Sequence, residues 1–425
     1  MWPQSACCSS TCAGAPGDGS TLAKIDGTQT DAFGRLRVSN PFTLFDSQQR
    51  FSLDQNFASN TASGGTVTYI STQSSANLAV TNTSGSYAAR ESKYVFPYQP
   101  GKSLLTMTTF VMAPMNDSNL RQRVGYFGAD NGIFLELKDQ LYIVKRSNIS
   151  GTVTDTAVAQ ASWNYDVLNG TGISGYTLDI TKAQIFWSDI EWLGVGSVRA
   201  GFVINGNFLL AHKFNHANLV TSVYMTTASL PVRYEIQSLT GSGAATANLT
   251  QICSTVISEG GYEQPLRLYS NVYNYSKVMT AGTWYPAQSI RLAPGRLDAI
   301  VKVKQIDVIM TSADTLHWAL WSNVTDANLT GESFVAHGYS QNVLVDKSAT
   351  AIDTTTCVQV AAGLVSGTNQ ASGRSVLELE RYYSQLGRNS FTQVSDIFTL
   401  AFYSIPGVGG AGATAQVLLS WNELL

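Results

Sequence analysis

Charge is what this sequence has least of. Only 13% of its 425 residues are Asp, Glu, Lys or Arg, roughly half the usual share. The balance is -3 at neutral pH, and no run of Lys and Arg is long enough to neutralise several phosphates, so nucleic acid is not an expected partner. Four histidines in the whole chain leave few ways to assemble a histidine-centred triad. No Gly-x-Ser-x-Gly, P-loop or dinucleotide fingerprint occurs, and no cofactor is expected. No apolar run approaches the roughly 20 residues that span a bilayer, so membrane insertion is not expected either. A basic region followed by an apolar stretch, the mark of a signal peptide, is missing from the N-terminus.

Long helical stripes are missing as well, and what fills the chain is strand. Apolar residues make up 44%, enough for substantial cores, while Ser, Thr, Asn, Gln and Gly take the place of charge. That profile suits β-sandwiches with hydroxyl- and amide-bearing outer faces, and subunits that hide surface against neighbours. At this length two or three domains are expected.

Residues 1 to about 30 are rich in Gly, Ser, Ala, Thr and Pro and read as an extended arm. Three of the five cysteines, Cys7, Cys8 and Cys12, lie there. Their spacing is not a zinc pattern and no fourth ligand is near, which leaves free thiols or interchain disulfides. Next comes Asp31-Ala-Phe-Gly-Arg-Leu-Arg-Val-Ser39, followed by Asn40-Pro-Phe-Thr-Leu-Phe-Asp46. Phe33, Leu36, Val38, Phe42 and Phe45 are more bulky apolar groups than a free tail needs. Two readings stand: a docking segment whose Arg35 and Arg37 find carboxylates or carbonyls on another subunit, or the first strand of the chain's own core.

From about 43 to 260 strand follows strand. Arg121 to Phe127, Ile133 to Leu137 and Leu141 to Val144 are separated by Asp130-Asn-Gly132 and Lys138-Asp-Gln140, the spacing of a meander. Val198 to Ile204, then Asn205-Gly206, then Asn207 to His212 is the strongest hairpin signal in the chain, because Asn-Gly accepts the positive φ angles of a type I′ turn. This region is expected to form a jelly-roll or concanavalin-like sandwich. Past Glu259-Gly-Gly261 the text becomes less regular, with Tyr262, Tyr269, Tyr273, Tyr275, Trp284 and Tyr285, and a boundary near 260 is expected. A second strand series, including Leu297 to Met310 and Ala415 to Trp421, predicts a second β-sandwich over 261–425. Leu377 to Leu386 reads equally as a helical turn or a strand. The predicted fold is therefore all-β: an arm and docking segment over 1–42 and two jelly-roll-like sandwiches.

The run DAFGRLRVSNPFTLFDSQ resembles a segment near the N-terminus of virion structural proteins of tailed bacteriophages, many of them from marine and cyanobacterial viruses. The resemblance continues through Val124 to Gly128, Trp163-Asn164 with Asp166, Leu178 to Ile180, Glu191 to Gly194, Leu230 to Glu235 and Leu418 to Glu423. It implies a place, the virus particle, and leaves head, neck, tail or fibre open. The expectation is a non-enzymatic structural component held among other virion proteins, as a homo-oligomer for which a trimer is the guess. The alternative is a receptor- or carbohydrate-binding module of a fibre or baseplate, with a host surface glycan as partner.

Catalytic and metal candidates were few. His212 and His216 are four apart, but His212 ends a predicted strand and no Glu lies between them, so no metal role is expected. Asp130, Asp166, Asp179, Asp189 and Glu191, with Trp163, Trp187 and Trp192 to stack on sugars, are the residue types a glycoside hydrolase needs. Turn aspartates usually cap backbone and aromatics usually fill the core, so no activity is expected of them.

Overall fold

The computed structural model describes residues 40–114, 119–239, 247–263, 266–368, 371–372, 374–378, 384–405 and 413–424. The described chain is all-β, as expected, and Pro41–Leu425 forms one compact unit that takes in two sandwiches.

In the first sandwich one sheet runs in the order Asn207–Phe214, Val198–Ile204, Gln184–Ile190, Leu104–Val111, Ala247–Ser258, Ser75–Val80 and Thr66–Ile70, with Phe42–Gln48 also paired to Ala247–Ser258. The facing sheet runs Thr154–Ala159, Leu141–Ser147, Gly132–Leu137, Leu120–Phe127, Val232–Ser238, Tyr87–Ser92 and Phe57–Ala62. Neighbouring strands are antiparallel throughout. Strand periodicity decides what is buried. Along Leu104–Val111 the residues Leu104, Thr106, Thr108 and Phe110 turn inward, and the Thr106 hydroxyl pairs with that of Ser188 at 2.6 Å, so a core hydroxyl costs little. Phe110, Phe186, Phe202, Tyr126 and Tyr234 are fully buried between the sheets.

The meander and the hairpin occur where the spacing places them. Ile204 pairs with Asn207 across Asn205 and Gly206, whose φ angles of 52° and 80° are those of a type I′ turn.

The second sandwich joins a four-stranded sheet, Leu266–Lys277, Ala413–Leu424, Ile300–Met310 and Arg374–Glu378, to a seven-stranded one: Val335–Ala336, Val343–Asp346, Trp284–Leu292, Ile397–Ser404, Thr315–Val324, Val358–Thr368 and Ala371–Ser372. The ambiguous 377–386 stretch thus begins in a strand, its part from 379 to 383 lying outside the described residues. Trp318, Trp421, Leu400, Phe402 and Val417 fill this core. Gly363 is required there, since a Cβ on it would meet Trp318 Cε2 at 2.7 Å.

The sandwiches are tied by polar contacts from the Ser92–Val95 turn. Arg388 N donates to Lys93 O at 2.9 Å, Gln385 Nε2 to Val95 O at 3.2 Å, and Lys93 Nζ to Asn323 Oδ1 at 2.9 Å.

Candidate functional site

Phe33, Arg35, Leu36, Arg37 and Val38, and Cys7, Cys8 and Cys12, lie outside the described residues. Phe45 is 1% exposed and packs on Phe57 and Phe96 inside the first sandwich. Its ring is committed to the chain's own core, the place the first-strand reading gives it. Phe42 is half exposed and stacks on Tyr262 with ring centroids 5.4 Å apart.

The five candidate carboxylates are not gathered at one site. Asp166 accepts from Leu168 N (2.9 Å) and Ser174 N (2.8 Å), Asp179 from Thr181 N (3.0 Å), Asp189 from Ser103 and Arg199, and Glu191 from Ser197 Oγ (3.2 Å). Asp130 is exposed in a turn. Trp163 and Trp187 are buried, and Trp192 packs edge-on against Tyr98. His212 Nδ1 accepts from Asn164 N at 3.3 Å. His216 Nδ1 bonds Gly196 O at 2.6 Å, which leaves Nε2 to accept from Lys145 Nζ at 3.0 Å.

The residues that do converge lie at one end of the second sandwich. Along strand Leu266–Lys277 the odd-numbered residues from Tyr269 onward turn inward. Tyr275 reaches the core, whereas Tyr269, Asn271 and Tyr273, nearer the strand's start, are half buried, and Tyr269 meets His337 in the segment after Val335–Ala336. In register, Tyr269 lies opposite Trp421 and Arg267 opposite Glu423. His337 closes the aromatic set, edge-on to Trp421 (5.0 Å), Tyr269 (6.3 Å) and Tyr339 (6.0 Å). Tyr339 itself is 87% exposed at the rim.

Beside these rings opens a cavity of about 740 Å³, well inside the range of small-molecule sites. Arg267, Tyr269, Arg296, Asp298, Tyr339, Asn342 and Glu423 line it, with Gln341 and Gln393. A second cavity of about 500 Å³ adjoins on the far side of His337, lined by Asn271, Val345, Lys347 and their neighbours.

Glu423, 1% exposed, organises the floor. Its Oε1 accepts from Ser340 Oγ and, at 2.9 Å, from Trp421 Nε1, and its Oε2 accepts from Asn342 Nδ2 at 2.8 Å. Ser340 Oγ in turn accepts from the backbone N–H groups of Asn342 and Val343, both at 3.1 Å. A buried carboxylate held by neutral donors thus fixes the loop that carries Tyr339 and Asn342. In the adjoining cavity, His337 Nδ1 and Asn271 Nδ2 are buried without a protein partner. Such groups are costly unless something satisfies them.

The arrangement offers exposed and half-buried ring faces next to amide and guanidinium groups. No group of three or more His, Cys, Asp or Glu fit to hold a metal occurs among the described residues. No helix of the described residues is long and apolar enough to cross a membrane.

The linear sequence does not single out this site. Two signals were present: the tyrosines at 269, 273 and 275, whose even spacing puts them on one strand face, and Trp421 with Glu423 in the C-terminal motif.

No family model matches the chain, and no curated protein matches it in sequence. Among solved structures, it is similar to the endo-1,3-beta-glucanase of Streptomyces sioyaensis at 10% identity, over 53% of this chain and 99% of that one, with a TM-score of 0.34. The lectin-like defence protein arcelin-5 of Phaseolus vulgaris matches at 10% identity over 52% of this chain and 99% of its own, with a TM-score of 0.31. The CBM2 module of the evolved Dit of Lactobacillus casei BL23 phage J-1 matches at 7% identity, over 53% and 100%, with a TM-score of 0.35. The expectation that the chain is not an enzyme is corrected by this set, which holds a glucanase beside a lectin-like protein and a binding module. At such identities the likeness is one of architecture.

Proposed function

We propose that this protein is a carbohydrate-recognising component of a bacteriophage particle, and that the aromatic-lined groove of the second sandwich is its glycan site. The observation that carries the reading is Tyr339, standing almost fully exposed beside Tyr269, His337 and Asn342 over an ordered polar floor. An exposed aromatic ring at the edge of a concave polar wall offers an apolar face on which a ligand ring can stack. The C–H face of a pyranose fits that stacking, and its hydroxyls suit the planar amide and guanidinium groups around the ring. The place in a virus particle rests on the DAFGRLRVS segment and its companion motifs. In this reading the N-terminal residues attach the subunit to other virion proteins, and the sandwiches display the groove.

Glycan-array binding by the full chain, compared with Tyr339→Ala, tests the site. Because Tyr339 contributes little to the core, the variant is expected to keep its melting temperature and lose at least about tenfold in affinity, close to 1.4 kcal/mol. Unchanged glycan binding by the variant would remove the groove from consideration.

A further inference from the structure

Among the described residues, arginine is almost always spoken for. Among the arginines whose side chains are described, Arg50 bonds Gln48, Arg90 bonds Gln49 and Gln251, and Arg121 bonds Gln237. Arg123 pairs with Glu136 and Arg146 with Asp155. Arg199 pairs with Asp189, Arg233 with Glu91 and Glu235, Arg291 with Asp326, and Arg388 with Glu91 and Asp298. The two left without a partner among the described residues are Arg267 and Arg296, and both line the same cavity.

One carboxylate of that cavity is buried and fully engaged, and the other is ion-paired but exposed. Glu423 is buried and takes three side-chain donors. Asp298 accepts from Arg388 Nε at 2.8 Å. Asp298 thus has a counter-charge in Arg388, whereas Arg267 and Arg296 have none among the described residues and present open guanidinium donors beside Tyr339, along with the amides of Gln341 and Gln393. A guanidinium is a rigid fork of donors that matches a carboxylate or phosphate two bonds at a time, which a neutral hydroxyl cannot reproduce.

We infer that the groove selects anionic saccharides, with Arg267 and Arg296 as the residues that read the sugar's carboxylate or phosphate while Tyr339 carries a ring. This rests on the reading of the groove as a glycan site. In a chain with so few charges, leaving two cations unpaired in one concave wall makes the wall specific by electrostatics as well as by shape.

The test uses the full chain against three sets of oligosaccharides of equal length: neutral, uronic-acid-bearing and phosphate-bearing. At low salt an anionic set is expected to bind at least about tenfold more tightly than the neutral one, and the gap should shrink in about 0.5 M salt as screening grows. Replacing both exposed arginines, Arg267→Gln with Arg296→Gln, should abolish the preference by bringing the affinity for the anionic sets down to that for the neutral one. Whether the uronate or the phosphate set leads identifies the anion. Equal affinity for neutral and anionic sets, or a preference that survives in the double variant, would overturn the inference and leave the glycan reading standing. Absence of binding to every set, with Tyr339→Ala indistinguishable from the parent, would overturn both.

Discussion

Arg388 Nη1 lies 2.7 Å from Glu91 Oε1 across the junction of the two sandwiches, and both side chains are buried. The contact is an ion pair rather than an aligned hydrogen bond: one Nη1 hydrogen goes to Ser92 O at 3.2 Å, and Glu91 Oε1 accepts no hydrogen bond. Glu91 accepts on its other oxygen from Arg233 Nη1 at 3.0 Å, and Arg388 Nε reaches Asp298 in the cavity wall. A chain of charges therefore runs from the first sandwich to the edge of the groove.

Removing one member of such a buried pair strands the other, at a cost of about 3 kcal/mol, whereas removing both relieves part of that cost. Arg388→Gln is expected to destabilise the protein to denaturant by about that amount. A double-mutant cycle with Glu91→Gln should show a cost clearly smaller than the sum of the singles. Strict additivity would mean that the two charges do not stabilise the junction as a pair.

Acid should weaken the first sandwich in two stages. Burial holds the His216 imidazole below its ordinary value; the bond to Gly196 opposes this and the Lys145 ammonium adds to it. Protonated Nε2 would face Lys145 directly, and the ring is stacked 3.9 Å from Tyr224. A group with a depressed folded value contributes stability that is present above its unfolded value, about 6.5, and is lost as the pH falls through the folded one. His212 in the same sandwich is shifted the same way by burial, as is His317 in the second sandwich.

Glu235 is also held low: burial alone would raise it, but Arg233, Arg123 and Arg121 outweigh that. Its contribution is lost below the ordinary carboxylate range near pH 4.3. Melting temperature is expected to fall between pH 6.5 and 5 and again below about 4.3, with His216→Gln flattening the first step. A first step unchanged in that variant would assign it to other groups.

How much of this was readable beforehand depended on range. Asn205-Gly206 and the Arg121 to Val144 meander were legible because a turn and its flanking alternation are local. Phe45 was ambiguous because an apolar run looks the same whether it fills its own core or a neighbour's, and only the pairing of Phe42–Gln48 with Ala247–Ser258 separates the two. The groove was illegible for the opposite reason. Its residues are scattered from Arg267 to Leu424, and a buried Glu423 means nothing until Ser340 and Asn342 are folded onto it. Arg267 and Arg296 stand out only once every other described arginine has been given its partner.

The most direct measurement is a crystal structure of the full chain with an anionic oligosaccharide bound. The expected result is a pyranose ring seated on Tyr339 within hydrogen-bonding reach of Asn342, its charged group turned toward Arg267 and Arg296. A saccharide seated on a face or loop of the first sandwich, with the groove of the second sandwich empty at saturating ligand, would contradict the account.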